Sequence, residues 1–129
     1  MSTIKVYGDN PKLPITQSTL TDPQDLYSLS KKKAEDSIIK TMQKENSYKI
    51  IRPSLVYGNS PKGNLKLLLF YSKLRIPNFF PKDMAKRQML SIDKLIIEIE
   101  KSVELDQFNN QVINLSDSRG YSAYDIVNL

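Results

Sequence analysis

The 129-residue chain contains no cysteine, no histidine and no tryptophan, and only four glycines. Without cysteine it can form neither a disulfide nor a thiolate nucleophile, and without histidine it can build neither a Ser–His pair nor a zinc site. Any acid–base chemistry must therefore come from Tyr, Lys, Asp or Glu. No apolar run approaches the ~20 residues that a membrane-spanning helix needs, so we expect neither a metal site nor a membrane segment.

The net charge of +5 comes from lysines that are scattered among acidic residues. Such a surplus suits ligands that carry phosphate. We find no zinc finger, RNA-recognition signature or aromatic–basic alternation that would indicate nucleic acid. Because no signal or transit peptide is visible, we expect a cytoplasmic protein.

Strand-like and helix-like segments alternate along the chain. Strands are predicted at 1–7, 48–51 and 111–115, with a brief extended segment at 87–90 and a loop at 55–61. Helices are predicted at 23–44, at 63–74 with a buried face at Leu65, Leu68 and Leu69, from 92 after a Ser91 cap, and after 122, where Ser122 and Asp125 are a candidate capping box. In the third of these helices the residues with apolar helical spacing are Ile92, Leu95, Ile96, Ile99 and Val103. This alternation is typical of an α/β fold with a mainly parallel sheet, here a single α/β segment over residues 1–129. Three strands make only part of such a sheet, so we expect an unpaired edge at Ile4–Tyr7 that self-association covers.

Tyr27 and Lys31 lie one helical turn apart near the start of the long predicted helix, for which Thr21 or Asp22 is the candidate N-cap. An ammonium near a phenol favours the phenolate, so such a pair can donate and accept a proton near neutral pH. Alone, the spacing is weak evidence. A tyrosine on a helix face is usually half-buried packing, and a run of lysines is usually solvated.

Two further motifs flank this pair, one from Ser2 to Gly8 and one from Arg52 to Gly58. In this order and spacing, the three motifs resemble those of the extended short-chain dehydrogenase/reductase family. Within that family the likeness is to nucleotide-sugar epimerases, 4-ketoreductases and dehydratases. It continues to the run from Asn114 to Asp117 and so covers essentially the whole chain.

The resemblance implies that Tyr27 exchanges a proton with a sugar hydroxyl while hydride moves between that carbon and a nicotinamide. Thr3 resembles the hydroxyl that bonds the reacting oxygen, although by itself it would be interpreted as a strand-end hydroxyl bonded to backbone. Lys31 resembles the lysine that holds the nicotinamide ribose, and Pro53 a residue beside the nicotinamide. Tyr27, Lys31 and Pro53 would then contact NAD or NADP.

The resemblance also implies a nucleotide-sugar substrate, most simply a UDP-sugar. Asn64 and Leu65 fall where the family contacts the nucleotide, and Phe80 is placed to stack on the base. Arg87 falls where an arginine grips the diphosphate, a task that suits its planar fork. The alternative for Arg87 is a surface ion pair.

One family feature has no counterpart, namely the glycine-rich turn that lets backbone amides approach a pyrophosphate. The resemblance therefore implies a partial Rossmann-like parallel sheet with flanking helices, lacking the N-terminal dinucleotide-binding strands. We expect an NAD(P)-dependent nucleotide-sugar epimerase or 4-ketoreductase that is weak or inactive alone, with negligible NAD affinity, and a homo-oligomer. The alternatives are a non-catalytic remnant, serving as a dimerisation or nucleotide-sugar-binding module, and an unrelated basic binding domain.

Overall fold

The computed structural model describes residues 1–9, 14–42, 47–59, 61, 63–74, 76–104 and 110–128. In chain order the elements are a 3₁₀ helix at Ile4–Tyr7, α1 at Leu26–Met42, β1 at Lys49–Pro53, β2 at Leu55–Tyr57, α2 at Gly63–Lys73, β3 at Arg87–Ser91, α3 at Ile92–Glu104, β4 at Gln111–Leu115, β5 at Gly120–Tyr121 and α4 at Ala123–Val127. The expected α/β class is confirmed. In the described part of the chain, no helix is both long and apolar enough to cross a membrane.

The described strands form two small sheets. β1 pairs with β4 in parallel, and β2 pairs with β3 in parallel while β5 adds to β3 antiparallel. The chain changes sheet at Ser54, whose N–H donates to the carbonyl of Leu115 at 2.8 Å. A bond of 2.7 Å from the N–H of Asp117 to the carbonyl of Met89 joins the end of β4 to β3. The expectation of a mainly parallel sheet is therefore confirmed for two of the three strand pairs.

The prediction of a strand over residues 1–7 is wrong. The segment turns into a 3₁₀ helix in which Val6 and Tyr7 are buried, and a strand-like bond is made by the N–H of Ser2, which donates to the carbonyl of Ile51 at 2.7 Å. The preference of β-branched and aromatic residues for strands largely reflects packing on a buried surface. A buried 3₁₀ turn satisfies the same preference, so the predicted sheet edge at Ile4–Tyr7 does not exist.

The prediction of a loop over 55–61 is wrong at its start, because Leu55–Tyr57 forms β2 and pairs with β3. The proline at position 53 does end β1, as expected. However, a single residue separates that end from the next strand. A strand of three residues is too short to give a recognisable alternation.

α1 begins at Leu26 rather than at position 23, and Asp25 supplies the cap instead of Thr21 or Asp22. The Asp25 carboxylate accepts the N–H of Ser28 at 2.6 Å, and the Ser28 hydroxyl accepts the N–H of Asp25 at 3.2 Å. This reciprocal arrangement is a capping box with serine in the place of the usual glutamate. The predicted end of this helix, at residue 44, lies outside the described residues.

The three later helices confirm their predictions. Ser91 accepts the N–H of Lys94 at 3.2 Å at the start of α3, and Ser122 and Asp125 form the predicted capping box of α4. Leu65 on the buried face of α2 packs with Met89 and Ile126, together with Leu68, Leu69 and Tyr121, in a hydrophobic cluster. The apolar spacing of α3 predicts burial only in part: Leu95 is buried, but Ile92, Ile96 and Val103 are 39%, 49% and 76% exposed.

Candidate active site

Tyr27 and Lys31 lie on the first turns of α1. The Lys31 ammonium nitrogen is 5.7 Å from the centroid of the Tyr27 ring, a cation–π distance. Tyr27 is 53% exposed, so its hydroxyl is open to a ligand. The structure thus brings this predicted pair together on an accessible helix start.

Thr3 precedes the 3₁₀ helix as its N-cap, and its hydroxyl oxygen accepts the N–H of Lys5 at 3.3 Å. The 3₁₀ helix runs beside the start of α1. The Lys5 ammonium pairs with the Asp25 carboxylate at 2.9 Å, and the N–H of Asp22 donates to the carbonyl of Val6 at 2.9 Å. The segment that carries Thr3 is therefore tied to the turn that carries Tyr27.

The Asp25–Lys5 contact also sets the charge state of the helix start. The N–H of Ser28, followed by the Lys5 ammonium, lowers the pKa of Asp25 to about 2. The same hydrogen bond with Asp25 raises the pKa of Lys5 above its ordinary value. Both groups are thus charged at neutral pH, next to the predicted catalytic pair.

Gly8 follows the 3₁₀ helix with a φ of +87°, a conformation that other residues rarely adopt. A Cβ at this position would lie 2.9 Å from the carbonyl oxygen of Asp22. Both the backbone conformation and the close approach to the α1 lead-in therefore require glycine here.

A buried polar cluster lies beneath these segments, formed by Tyr7, Glu35, Arg52 and Asn114. The Arg52 guanidinium donates from Nε to Oε1 of Glu35 at 2.8 Å and from Nη2 to Oε2 at 2.6 Å. Its Nη1 donates to the Tyr7 hydroxyl at 2.7 Å, and that hydroxyl donates to Oδ1 of Asn114 at 3.0 Å. Arg52 and Glu35 are only 5% and 2% exposed.

Within this cluster, burial by itself raises the pKa of Glu35. The hydrogen bonds and positive charge of Arg52 outweigh burial, so the pKa of Glu35 lies below its ordinary value and the carboxylate is ionised. Sequence analysis did not find the cluster, since Arg52 was interpreted only as the end of a strand. The sequence did contain a signal for the cluster, since Arg52 directly follows two isoleucines in a predicted strand. An arginine that is buried with them needs a partner of opposite charge.

Pro53 is the last residue of β1 and lies opposite Leu115 in β4. It is buried, directly after Arg52. In parallel α/β sheets, ligands bind at the carboxyl ends of the strands. Pro53 occupies such an end.

The four predicted substrate residues occupy different surroundings. Asn64 is exposed at the start of α2, whereas the side chain of Leu65 packs inside the hydrophobic cluster and leaves only its backbone for a ligand. Phe80 is half-buried, and Asn78 positions it by accepting its N–H at 3.0 Å and donating to the carbonyl of Tyr124 at 3.1 Å.

Arg87 is exposed at the start of β3, opposite Tyr121 in β5. The Arg119 guanidinium lies 5.0 Å from the centroid of the Tyr121 ring. Two arginines thus flank one short strand pair. The sequence pointed only to Arg87, because Arg119 belongs to no motif and is brought to this strand pair only when β5 pairs with β3.

Tyr57 and Asp117 meet at the carboxyl ends of β2 and β4. Burial, followed by the negative charge of Asp117, raises the pKa of Tyr57 above its ordinary value. Asp117 itself pairs with the Lys94 ammonium at 2.9 Å. Tyr57 therefore keeps its proton at neutral pH and can act as a hydrogen-bond donor at this edge.

The predicted residues divide between two sets of segments: Thr3, Tyr27, Lys31 and Pro53 lie on the segments that also carry Tyr7, Glu35 and Arg52, whereas Asn64, Leu65, Phe80 and Arg87 lie on α2, on β3 and between them. A separate cavity of about 400 Å³ lies between the start of β1 and the end of α3, lined among others by Met1, Ile51 and Ile99. None of the predicted site residues lines it. Among the described residues, no group of three or more acidic side chains could hold a metal ion.

Residues 5–99 match a model of an NAD-binding family described as "Male sterility protein". UDP-glucose 4-epimerase of Vibrio cholerae is 32% identical over 132 residues, which cover 98% of this chain and 40% of the relative. The chain therefore belongs to the extended short-chain dehydrogenase/reductase family, and it spans about two fifths of the length of that curated relative.

Two solved structures show the same fold. The UDP-glucose 4-epimerase of Thermotoga maritima, determined with UDP-glucose, superposes with a TM-score of 0.78 at 19% identity over 98% of this chain and 43% of that one. The UDP-glucuronic acid 4-epimerase of Bacillus cereus, determined with NAD, gives a TM-score of 0.79 at 22% identity over 96% and 41%. The expected partial Rossmann-like sheet with flanking helices is confirmed.

Proposed function

We propose that residues 1–129 form the catalytic and substrate-binding segment of an NAD(P)-dependent nucleotide-sugar epimerase or 4-ketoreductase. The observation that carries the proposal is the pairing of Tyr27 with Lys31 on an exposed helix start, beside the segment that carries Thr3. The relatives named above act on UDP-sugars, and this supports a UDP-sugar as the substrate.

In this function Tyr27 donates a proton to the sugar oxygen in one direction and accepts it in the other. Lys31, whose ammonium nitrogen lies 5.7 Å from the centroid of the Tyr27 ring, would hold the nicotinamide ribose. The Thr3 hydroxyl accepts the N–H of Lys5 and keeps its own hydrogen to donate to the same sugar oxygen. A nicotinamide, when bound, accepts or supplies the hydride.

The residues of this chain fit only the nicotinamide end of such a cofactor. Tyr27, Lys31 and Pro53 would contact the nicotinamide end, but the chain offers no glycine-rich turn for the pyrophosphate. We therefore expect negligible NAD affinity for this chain alone, and residues from outside it would have to complete the cofactor site.

On the substrate side, Arg87 and Arg119 bring two positive charges to one strand pair. Two guanidinium groups suit a diphosphate, because each can donate two parallel hydrogen bonds. Phe80 offers an aromatic face in a loop that Asn78 fastens to α4. Asn64 adds an exposed amide at the start of α2.

A second candidate function is a non-catalytic module for dimerisation or nucleotide-sugar binding. The observation in its favour is the apolar surface at the start of α1, where Leu26 and Leu29, three residues apart on one side of the helix, are 87% and 39% exposed. A second copy of the chain that covers this surface would give the proposed homo-oligomer. Both candidate functions suit a cytoplasmic protein.

The first test is calorimetric titration with UDP-glucose and with NAD. We expect UDP-glucose to bind and Arg87→Ala to weaken it roughly tenfold or more, because a charged hydrogen bond to phosphate is lost. Lys40→Ala removes the same charge from α1, at a site the proposal does not use, and should change affinity by less than about twofold. Failure of UDP-glucose to bind would contradict the proposal. Tight binding of NAD by this chain alone would contradict the expectation that its cofactor site is incomplete.

A second measurement separates the two candidates. Because this chain alone does not complete the cofactor site, it is joined to the part of the Vibrio cholerae relative that it does not span. The joined protein is incubated with UDP-glucose and NAD, and UDP-galactose is followed by NMR. Conversion that disappears in Tyr27→Phe favours the catalytic function. Binding without conversion at any protein concentration favours the module.

A further inference from the structure

The buried polar cluster touches each of the segments that carry the proposed catalytic residues. Tyr7 follows Thr3 by four residues within the 3₁₀ helix segment, and Glu35 follows Lys31 by one turn of α1. Arg52 directly precedes Pro53 in β1. A single guanidinium thus bonds directly to two of these segments and belongs to the third.

α1 has few other anchors. Along this helix, every residue of which is described, the buried side chains are Ser28 and Glu35. Ser28 belongs to the capping box with Asp25, and Glu35 is held by both oxygens. These two anchors lie two turns apart on one side of the helix, with Lys31 between them and Tyr27 next to the first.

Net stability is a poor explanation for such a pair. Taking two charges out of water costs about as much as their attraction returns, and apolar residues of similar volume often replace buried pairs without loss. Geometry is a better explanation, because a planar guanidinium that donates two parallel bonds to one carboxylate fixes both distance and angle. Apolar contacts along α1 would leave its rotation much less defined.

We propose that Arg52 is a positioning residue that sets the rotation of α1 and its distance from the 3₁₀ helix. Its bonds to Glu35 hold Tyr27 and Lys31 at one angle, and its bond to Tyr7 holds the segment of Thr3 against them. The assignment of Tyr27, Lys31 and Thr3 as the residues being positioned rests on the proposed function. The position of α1 itself can be measured without any ligand.

The absence of cysteine from the chain makes a clean distance measurement practical. Thr3→Cys is labelled with a nitroxide, tyrosines are replaced by 3-fluorotyrosine, and the Tyr27 fluorine signal is assigned by its loss in Tyr27→Phe. Relaxation of that signal by the nitroxide reports the separation of positions 3 and 27. Hydrogen exchange of the α1 amides is measured on the unlabelled chain.

Arg52→Lys keeps the positive charge but removes the planar guanidinium that donates two parallel bonds to Glu35. We expect it to change the relaxation of the Tyr27 signal and to speed amide exchange in the second and third turns of α1 by about tenfold or more. The matched control is Ile126→Val, which lowers stability in the hydrophobic cluster far from α1. Each variant is measured at the same interval below its own melting temperature. Under those conditions Ile126→Val should leave both the relaxation of the Tyr27 signal and amide exchange in α1 unchanged, because a merely destabilising substitution does not move α1.

Tyr7→Phe serves as the second variant, since it keeps the Arg52–Glu35 bonds and should fold even if Arg52→Lys does not. It should change the separation of positions 3 and 27 while amide exchange in α1 stays within about twofold of the wild type. If Arg52→Lys and Tyr7→Phe both behave like Ile126→Val, the positioning role is wrong. If they behave as expected while UDP-glucose does not bind, the proposed function is wrong and the geometric role of Arg52 stands.

Discussion

The Lys5 ammonium and the Asp25 carboxylate form an ion pair of 2.9 Å that joins the 3₁₀ helix to the capping box of α1. Asp25 therefore serves two segments at once, as a helix cap and as the partner of Lys5. Both contacts favour its charged form. Its loss should affect the same two segments together.

Acid should weaken this junction in a defined pH range. Because the pKa of Asp25 in the folded chain is lowered to about 2 from an ordinary value near ~3.9, its contribution to stability is complete above the ordinary value. The contribution falls as the pH drops towards 2. Urea unfolding of the wild type and Asp25→Ala should differ clearly at neutral pH and converge near pH 2.

Asp36→Ala is the control for this experiment, since Asp36 pairs with Lys32 on an exposed helix surface. It should differ from the wild type by less than about 0.5 kcal/mol at every pH. An Asp25→Ala difference that does not depend on pH would contradict the assignment of the ionised carboxylate as the cap.

Removing one partner of the buried ion pair should cost far more than removing both. Arg52→Met leaves Glu35 buried without its partner and should lower the free energy of unfolding by about 3–5 kcal/mol. The double variant Arg52→Met/Glu35→Leu should recover much of that loss, because no uncompensated charge remains. Denaturant unfolding of the two single variants and the double variant completes the cycle, and additive losses would contradict a coupled pair.

Gly8→Ala should destabilise the chain more than Gly63→Ala. Both glycines have positive φ, which costs other residues about 1–3 kcal/mol. At Gly8 the added Cβ also meets the Asp22 carbonyl at 2.9 Å, whereas at Gly63 it meets no atom within 4 Å. Thermal unfolding of both variants measures the difference, and equal losses would show that the close approach to Asp22 does not matter.

The exposed apolar side chains of α1 should mediate self-association. Replacing both Leu26 and Leu29 by Gln removes apolar surface that is 87% and 39% exposed and should shift a dimer towards monomer. Val103→Gln on α3 changes a side chain that is 76% exposed and should leave the oligomeric state unchanged. Size-exclusion chromatography with light scattering gives the masses, and a wild type that is monomeric at high concentration would contradict the homo-oligomer.

Periodic segments were predictable from the sequence, and the contacts between them were not. The apolar spacing of α2 and the Ser122–Asp125 capping box are local signals, and both are confirmed. The prediction of a strand at Ile4–Tyr7 is wrong because Val6 and Tyr7 of this segment are buried in a 3₁₀ helix instead of pairing with another strand. Helix periodicity predicts that Tyr27 and Lys31 lie one turn apart on the same helix. The helix start was predicted at the wrong residue because the Asp25–Ser28 capping box was not recognised in the sequence.

The polar cluster could not be predicted because its members come from four separate segments. The Tyr7 hydroxyl reaches Asn114, 107 residues further along the chain. No window of sequence contains such a contact. The same holds for Arg119, which directly precedes β5 and is brought to the strand of Arg87 by the pairing of β5 with β3.

The change of sheet at Ser54 separates, along the chain, the residues of the proposed acid–base site from those of the proposed substrate site. Thr3, Tyr27, Lys31 and Pro53 all precede that residue, while Asn64, Leu65, Phe80 and Arg87 all follow it. Substitutions in α2 and β3 can alter recognition of the nucleotide or the sugar without replacing a proposed acid–base residue, whereas β4 stays tied to those residues because it pairs with β1 and carries Asn114 of the polar cluster. A lineage could thus acquire a new substrate and keep its proton-transfer geometry intact.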